Sequence, residues 1–199
     1  MKTGLAGGIG SGKSYVAHLL AERGIEVYDC DSAAKRLMRT SPELRQQLTD
    51  LIGPEAYEPY EPYEPHTTQP PYLLNKAAVA RFLLASEENA RAVDAIVHPA
   101  VFRDFQQSGA LWMESAILYE SGAASLVDRV IVVTAPEELR ISRIMTRDGI
   151  SREKAREWIS RQWPQERVRE LADYEIVNDG TTDLEQQLNK IIEQCKTPF

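Results

Sequence analysis

Cysteine, excess positive charge and long apolar runs are what this 199-residue chain has little of. The two cysteines, Cys30 and Cys195, stand far apart, which excludes a disulfide framework and a clustered cysteine metal site and fits a chain of a reducing compartment. With 23 basic against 30 acidic residues the net charge is −7, which argues against general binding of nucleic acid, whose phosphate backbone calls for a basic face. No apolar run approaches the length of a membrane span, and Met1-Lys2-Thr3-Gly4 runs directly into a strand pattern without room for a signal peptide. The expectation is a cytoplasmic protein with no membrane partner, long enough to bury a core as a single domain, and a monomer or weak homo-oligomer.

What is present begins at Gly7-Gly8-Ile9-Gly10-Ser11-Gly12-Lys13-Ser14, the spacing G-x-x-x-x-G-K-[ST]. A short strand pattern precedes it, and Val16, Leu19 and Leu20 mark an apolar helix face behind it, with Gly24 as a stop. Glycines there let backbone N–H groups curl around phosphate oxygens, and the helix N-terminus adds its positive end. Lys13 supplies a point charge to the β- and γ-phosphates, and the Ser14 hydroxyl can ligate Mg²⁺.

Next, Ile25-Glu26-Val27-Tyr28 alternates as a second strand and delivers Asp29 and Asp31 to its C-terminal end, where α/β sheets place their ligands. Asp31 could equally cap a helix starting at Ser32. From Ser32 to Ser108 the pattern is helical without a convincing strand. It is interrupted by Glu58-Pro59-Tyr60-Glu61-Pro62-Tyr63-Glu64-Pro65, whose proline density predicts an exposed polyproline-like loop. His98-Pro99 predicts a helix break, with His98 either a hydrogen-bonded structural histidine or a ligand contact.

Two further strands are expected at Ala110-Leu111-Trp112-Met113 and Val130-Ile131-Val132-Val133-Thr134, the second β-branched as in a sheet buried on both faces. Glu114 follows the first and leaves a part at the metal open. Glu120 falls in the loop between the two strands, near the cleft or simply on the surface. Arg140 to Arg169 holds nine basic and four acidic residues, a local +5 in an acidic chain. Such a segment calls for an anionic partner, and Arg143 and Arg147 fall on one helix face; a solvated hairpin laced with ion pairs is the alternative. Tyr174 to Val177 gives a fifth strand, the Asn178-Asp179-Gly180 turn follows, and Thr182-Asp183-Leu184-Glu185 reads as a capping box. The turn could form part of a base pocket.

The fold class expected is α/β: a nucleoside-kinase-like, three-layer P-loop NTPase with a five-stranded parallel sheet. Residues 1–31, 109–139 and 170–199 would form the nucleotide-binding core, 32–108 a helical acceptor-binding lobe and 140–169 an arginine-rich lid. Phosphoryl transfer suits that layout, because its catalysis is mostly positioning and charge neutralisation. A kinase for another small acceptor, such as a nucleoside monophosphate, shares the logic, and a nucleotide-binding switch is a third reading that would need no acceptor base.

Gly4 to Ser14, Asp29-Cys30-Asp31, His98-Pro99, Ile117-Leu118-Tyr119-Glu120, Arg143-x-x-x-Arg147-Asp148 and Arg161-Gln162, in this order, resemble the dephospho-CoA kinase family across nearly the whole chain. The resemblance implies ATP and Mg²⁺ as donor and cofactor, and dephospho-CoA as acceptor at its ribose 3′-hydroxyl. It implies that Gly8, Gly10, Ser11, Gly12, Lys13, Ser14 and Tyr15 hold the phosphates and that Asp31 is the carboxylate at the acceptor hydroxyl, as base or as orienter. Lys35, His98, Leu118 and Glu120 would line the acceptor site, Arg143, Arg147 and Arg161 would belong to the lid, and Asn178 would lie by the adenine. Tyr15 replaces a usual threonine, Ala116 a usual proline, and Lys35 a usual arginine, which removes a bidentate fork.

Overall fold

A computed structural model describes residues 1–59 and 72–196. In chain order the elements are β1 (Thr3–Ala6), α1 (Lys13–Glu22), β2 (Val27–Asp29), α2 (Cys30–Thr40), α3 (Pro42–Ile52), β3 (Tyr57–Pro59), β4 (Tyr72–Leu74), α4 (Lys76–Ala85) and α5 (Glu87–Ser108). Then come β5 (Trp112–Ser115), β6 (Arg129–Thr134), α6 (Glu137–Asp148), α7 (Arg152–Ser160), α8 (Gln165–Leu171), β7 (Tyr174–Val177) and α9 (Leu184–Lys196). The chain divides into two compact units, Met1–Asp29 with Gly109–Phe199, and Cys30–Ser108.

The first unit is built on a five-stranded sheet in the order β2-β5-β1-β6-β7, with every pair parallel. The sequence explains which strands are central. All four residues of β1 and all six of β6 are buried, and a fully buried Val, Leu or Ile side chain contributes about 1.5–3 kcal/mol relative to exposure. On one face Leu5, Ile131, Val133 and Ile176 pack with Val16, Leu19 and Leu20 of α1 and Leu188 and Ile191 of α9. On the other, Leu118 and Val127 close over Gly4. The parallel register brings the C-terminal ends of β1, β5 and β6 to one edge, and the glycine-rich loop leaves β1 there.

α9 starts on a different cap from the one expected. Asp183, not Thr182, accepts the N–H of Gln186, while the Thr182 N–H and hydroxyl go to Asp179. Asp179 takes four such bonds from Thr181 and Thr182, and they hold its carboxyl far below the usual carboxylate range.

The second unit, helical as expected in the main, departs from the sequence reading twice. It contains an antiparallel pair, β3 with β4, in which Glu58 and Pro59 of the Glu/Pro/Tyr repeat take part. Buried Tyr57 anchors the pair, its hydroxyl donating to the Met38 carbonyl at 2.6 Å, and burial pushes that phenol up to about 12. Pro59 is tolerated as a strand-end residue. The rest of the repeat lies outside the described residues. The break expected at His98-Pro99 does not occur, and α5 runs through Pro99. Pro99 faces solvent, while Val93, Val97, Ala100, Val101 and Phe105 are buried, so the missing hydrogen bond falls on the wet side of a well-packed helix.

Candidate active site

Gly10 and Gly12 of the loop can only be glycine. Gly10 has φ +80° and a Cβ there would come within 2.7 Å of the Arg140 carbonyl; Gly12 has φ +92° and a Cβ there would overlap the Asn178 amide nitrogen. Lys13 opens α1 directly behind them, so the helix N-terminus points into the loop.

Side chains from outside the loop take up its carbonyls one after another. Arg140 Nε donates to the Ile9 carbonyl at 3.0 Å, and Arg143 Nη1 to those of Gly10 and Ser11 at 3.2 Å each. Asn178 Nδ2 donates to the Ser11 carbonyl at 2.8 Å, and Arg143 Nη2 donates to the Asn178 carbonyl and Oδ1 at 3.2 and 3.1 Å. In a trans peptide the N–H points opposite to the C=O. Holding the Ile9 and Ser11 carbonyls on one side therefore aims the Gly10 and Gly12 N–H groups to the other, which makes an anion-binding concavity. Gln162 completes the frame, accepting the Ile9 N–H at 2.8 Å and donating to the Ala116 carbonyl at 3.1 Å. Burial lowers the Arg140 pKa, opposed by Glu137 and Glu166.

Lys13 is buried and its Nζ lies 3.1 Å from Glu114 Oε1. Ser14 Oγ donates to the same oxygen at 3.4 Å, while Glu114 Oε2 is buried without a hydrogen-bond partner among the described residues. Glu114 comes there because it sits in register with Leu5 of β1 and Asp29 of β2 at the C-terminal edge of the sheet.

The structure thus brings together Gly8, Gly10, Ser11, Gly12, Lys13, Ser14, Arg143 and Asn178. It corrects the surroundings of the last two of these and of several others. The Arg143 guanidinium and the Asn178 amide, expected on a lid and at a base, are engaged with the loop backbone, because outward-turned carbonyls must be satisfied when buried. Arg147 and Arg161 are exposed and paired on their own helices, with Asp148 and Glu157 respectively. Leu118 is core, 1 % exposed, with its methyls against Gly4. Glu120 accepts the Trp163 N–H at 3.0 Å. Tyr15 projects into solvent, and its N–H donates to the Gly12 carbonyl in the first helical turn.

In the second unit Asp31 lies in the first turn of α2, one residue inside the helix rather than at its cap, and Lys35 follows one turn later; both are exposed. His98, on α5, stacks on Phe102 and sits 3.6 Å from Asp94. Sequence reading missed Arg140 and the framing part of Gln162. The available signal for Arg140 was its spacing, three residues before Arg143 and so on the same helix face.

Comparison with known proteins agrees with this geometry. A relative from Bacteroides fragilis named dephospho-CoA kinase is 39 % identical over 199 residues, covering 96 % of this chain and 91 % of its own. A crystal structure of a Thermus thermophilus protein superposes with a TM-score of 0.79 at 30 % identity, covering 100 % of this chain and 98 % of the other. A dephospho-CoA kinase structure from Campylobacter jejuni, at 21 % identity and a TM-score of 0.61 over 98 % of both chains, shares the fold. The sequence profile of dephospho-CoA kinase matches residues 1–183, and with it this chain belongs to the dephospho-CoA kinase family.

Proposed function

We propose that this kinase transfers the γ-phosphoryl group of ATP to the ribose 3′-hydroxyl of dephospho-CoA, giving CoA and ADP, the last step of coenzyme A synthesis. The observation that carries the donor half is the loop whose carbonyls are held back by Arg140, Arg143 and Asn178, so that its N–H groups and Lys13 converge where phosphates would lie. The acceptor identity rests on the family and on the motifs at Asp31, His98 and Glu120.

Mg²⁺ fits the residues at the loop. It prefers one or two protein oxygens and keeps its waters, and the Ser14 hydroxyl with the orphaned Glu114 Oε2 offers such a pair. When bound, Mg²⁺ would neutralise charge on the β- and γ-oxygens. Lys13 would leave Glu114 for the phosphates. Asp31 would accept or orient the acceptor hydroxyl's proton, and Arg147 and Arg161, on a lid of residues 140–169, would meet phosphate charge on closure. Closing also excludes water as a competing acceptor. Residues 32–108 would form the acceptor lobe, with Lys35 and His98 lining it.

The test is ADP release with dephospho-CoA, AMP, CMP or no acceptor, with the phosphate position on the product located by mass fragmentation. Turnover with dephospho-CoA alone and a 3′-phosphate on the product is expected. Faster turnover with AMP or CMP would make this a nucleoside monophosphate kinase, and tight ATP binding without any acceptor-dependent turnover would make it a switch.

A further inference from the structure

At the sheet edge opposite the phosphate loop, Trp112, Thr3 and Arg129 form a row across β5, β1 and β6 in register. Two residues further along the same strands, Leu5 and Ile131 enter the core beneath α1 and α9. Side chains at i and i+2 share a face, so the row looks into the same layer. An apolar residue would finish that layer. Arg129 stands there instead, only 6 % exposed.

Its guanidinium is poorly satisfied. Nη2 donates to the Met1 sulfur at 2.8 Å, a weak acceptor, and Nε and Nη1 are buried with no acceptor among the described residues. The adjacent carboxylate does not serve it, since Asp128 Oδ2 accepts the Lys2 N–H at 2.6 Å. A buried charge without a partner is among the most unfavourable arrangements a core can hold. Arg129 and Met1 line a pocket of about 370 Å³ with Trp112, Ile25, Ile192 and Cys195, within the size range of small-molecule sites.

We propose that this pocket is a second ligand site, which binds a small carboxylate with an apolar aryl or branched-alkyl body. Nε and Nη1 are shut off from solvent as the side chains stand, so the carboxylate enters by taking the place of the exposed Met1 thioether at Arg129 Nη2, and the body lies against Trp112, Ile25 and Ile192. One buried guanidinium balances one negative charge. A phosphate dianion would leave a net charge among apolar walls, which is why the carboxylate is the class that fits. The site is separate from the donor site, because Arg129 begins the strand whose other end reaches the loop edge.

The experiment uses the full chain, titrated calorimetrically with phenylacetate, isovalerate, phenylacetamide and inorganic phosphate up to about 10 mM. Alkylation of the Cys195 thiol, located by peptide mass, is followed in parallel as a probe within the pocket wall. Saturable binding of at least one of the two acids with slower Cys195 alkylation is expected, and binding at least about tenfold weaker for phenylacetamide, which lacks the charge. Arg129→Met should weaken the acid by about tenfold or more. Ile192→Trp, which fills the pocket and leaves Arg129 in place, should abolish binding and protection. The proposal is overturned if neither acid binds, if Cys195 is not protected, if either variant binds as the parent does, or if phosphate or the amide binds and protects as well as the acids do.

Discussion

Lys13 Nζ lies 3.1 Å from Glu114 Oε1, and both side chains are less than a tenth exposed. The lysine is thus paired with the carboxylate that also receives the Ser14 hydroxyl. On the proposed function, phosphates would draw Lys13 away and leave Glu114 facing Ser14 with two oxygens for a cation and its waters. Glu114→Gln keeps the shape and removes the charge. The Mg²⁺ concentration for half-maximal rate should rise about 10–100-fold, while ATP affinity without metal stays equal or increases, since the site loses a negative charge. Initial rates across a Mg²⁺ series and a metal-free nucleotide titration measure both. An unchanged Mg²⁺ dependence would restrict Glu114 to holding Lys13.

Arg143 and Asn178 act on the loop as one unit, because each bonds a loop carbonyl and they bond each other. Arg143→Ala and Asn178→Ala should each raise KM for ATP by about tenfold, as expected for losing charged or buried hydrogen bonds. The double variant should be little worse than either single one, with a coupling of about 0.5–3 kcal/mol. Arg147→Ala removes an exposed side chain paired with its neighbour Asp148. It should lower kcat and leave KM for ATP within about threefold, the pattern of a group that acts on closure. Additive effects of the first two substitutions would separate their roles.

The sheet and the donor loop were legible because their signals are local: a glycine spacing, β-branched runs, and apolar helix faces. What sequence could not say is which side of the loop a cation serves. Arg143 and Asn178 lie far along the chain from Ser11, and only the parallel sheet brings the Asn178 turn beside it. Charge pattern alone set Arg143, Arg147 and Arg161 toward phosphate, whereas Arg143, with Arg140 beside it, faces the loop backbone and Arg161 is tied to Glu157. The β3 and β4 pair was hidden by its brevity and by Pro59, and the uninterrupted α5 because the rule for proline weighs the lost bond and not the side it is lost on. Thr182 was passed over as a cap since Asp179 already holds it.

Asp179 gives a pH signature of the turn that carries Asn178. Its carboxyl ordinarily titrates at 3.8 and is held lower in the fold by the N–H groups of Thr182 and Thr181. A depressed folded value means that the stabilisation is fully present above the ordinary value and is lost as pH falls through the folded one. Asp179→Asn should therefore lower Tm by a constant amount from about pH 5 upward, and the difference from the parent should shrink below about pH 4. Thermal melts of both proteins across that range measure it. A difference that stays constant into acid would mean that the carboxylate charge plays no part in the turn.

Pro99 supplies the last expectation. It lies inside α5 on the exposed face, so the Ala95 carbonyl lacks its helical donor and turns to water. In a helix interior proline is about 3 kcal/mol less favourable than alanine, but a solvated carbonyl and relaxed curvature recover part of that. Pro99→Ala should therefore stabilise the protein by about 1–2 kcal/mol, read as a higher denaturant midpoint at unchanged slope. The buried stripe from Val93 to Phe105 already holds the helix on both sides of the proline, so no rearrangement is needed to realise the gain. A loss of stability would mean instead that the φ fixed by the Pro99 ring is required for the packing of that stripe. If stability rises while KM for the acceptor also rises, the proline is kept for the shape it gives the neighbouring His98 rather than for the fold.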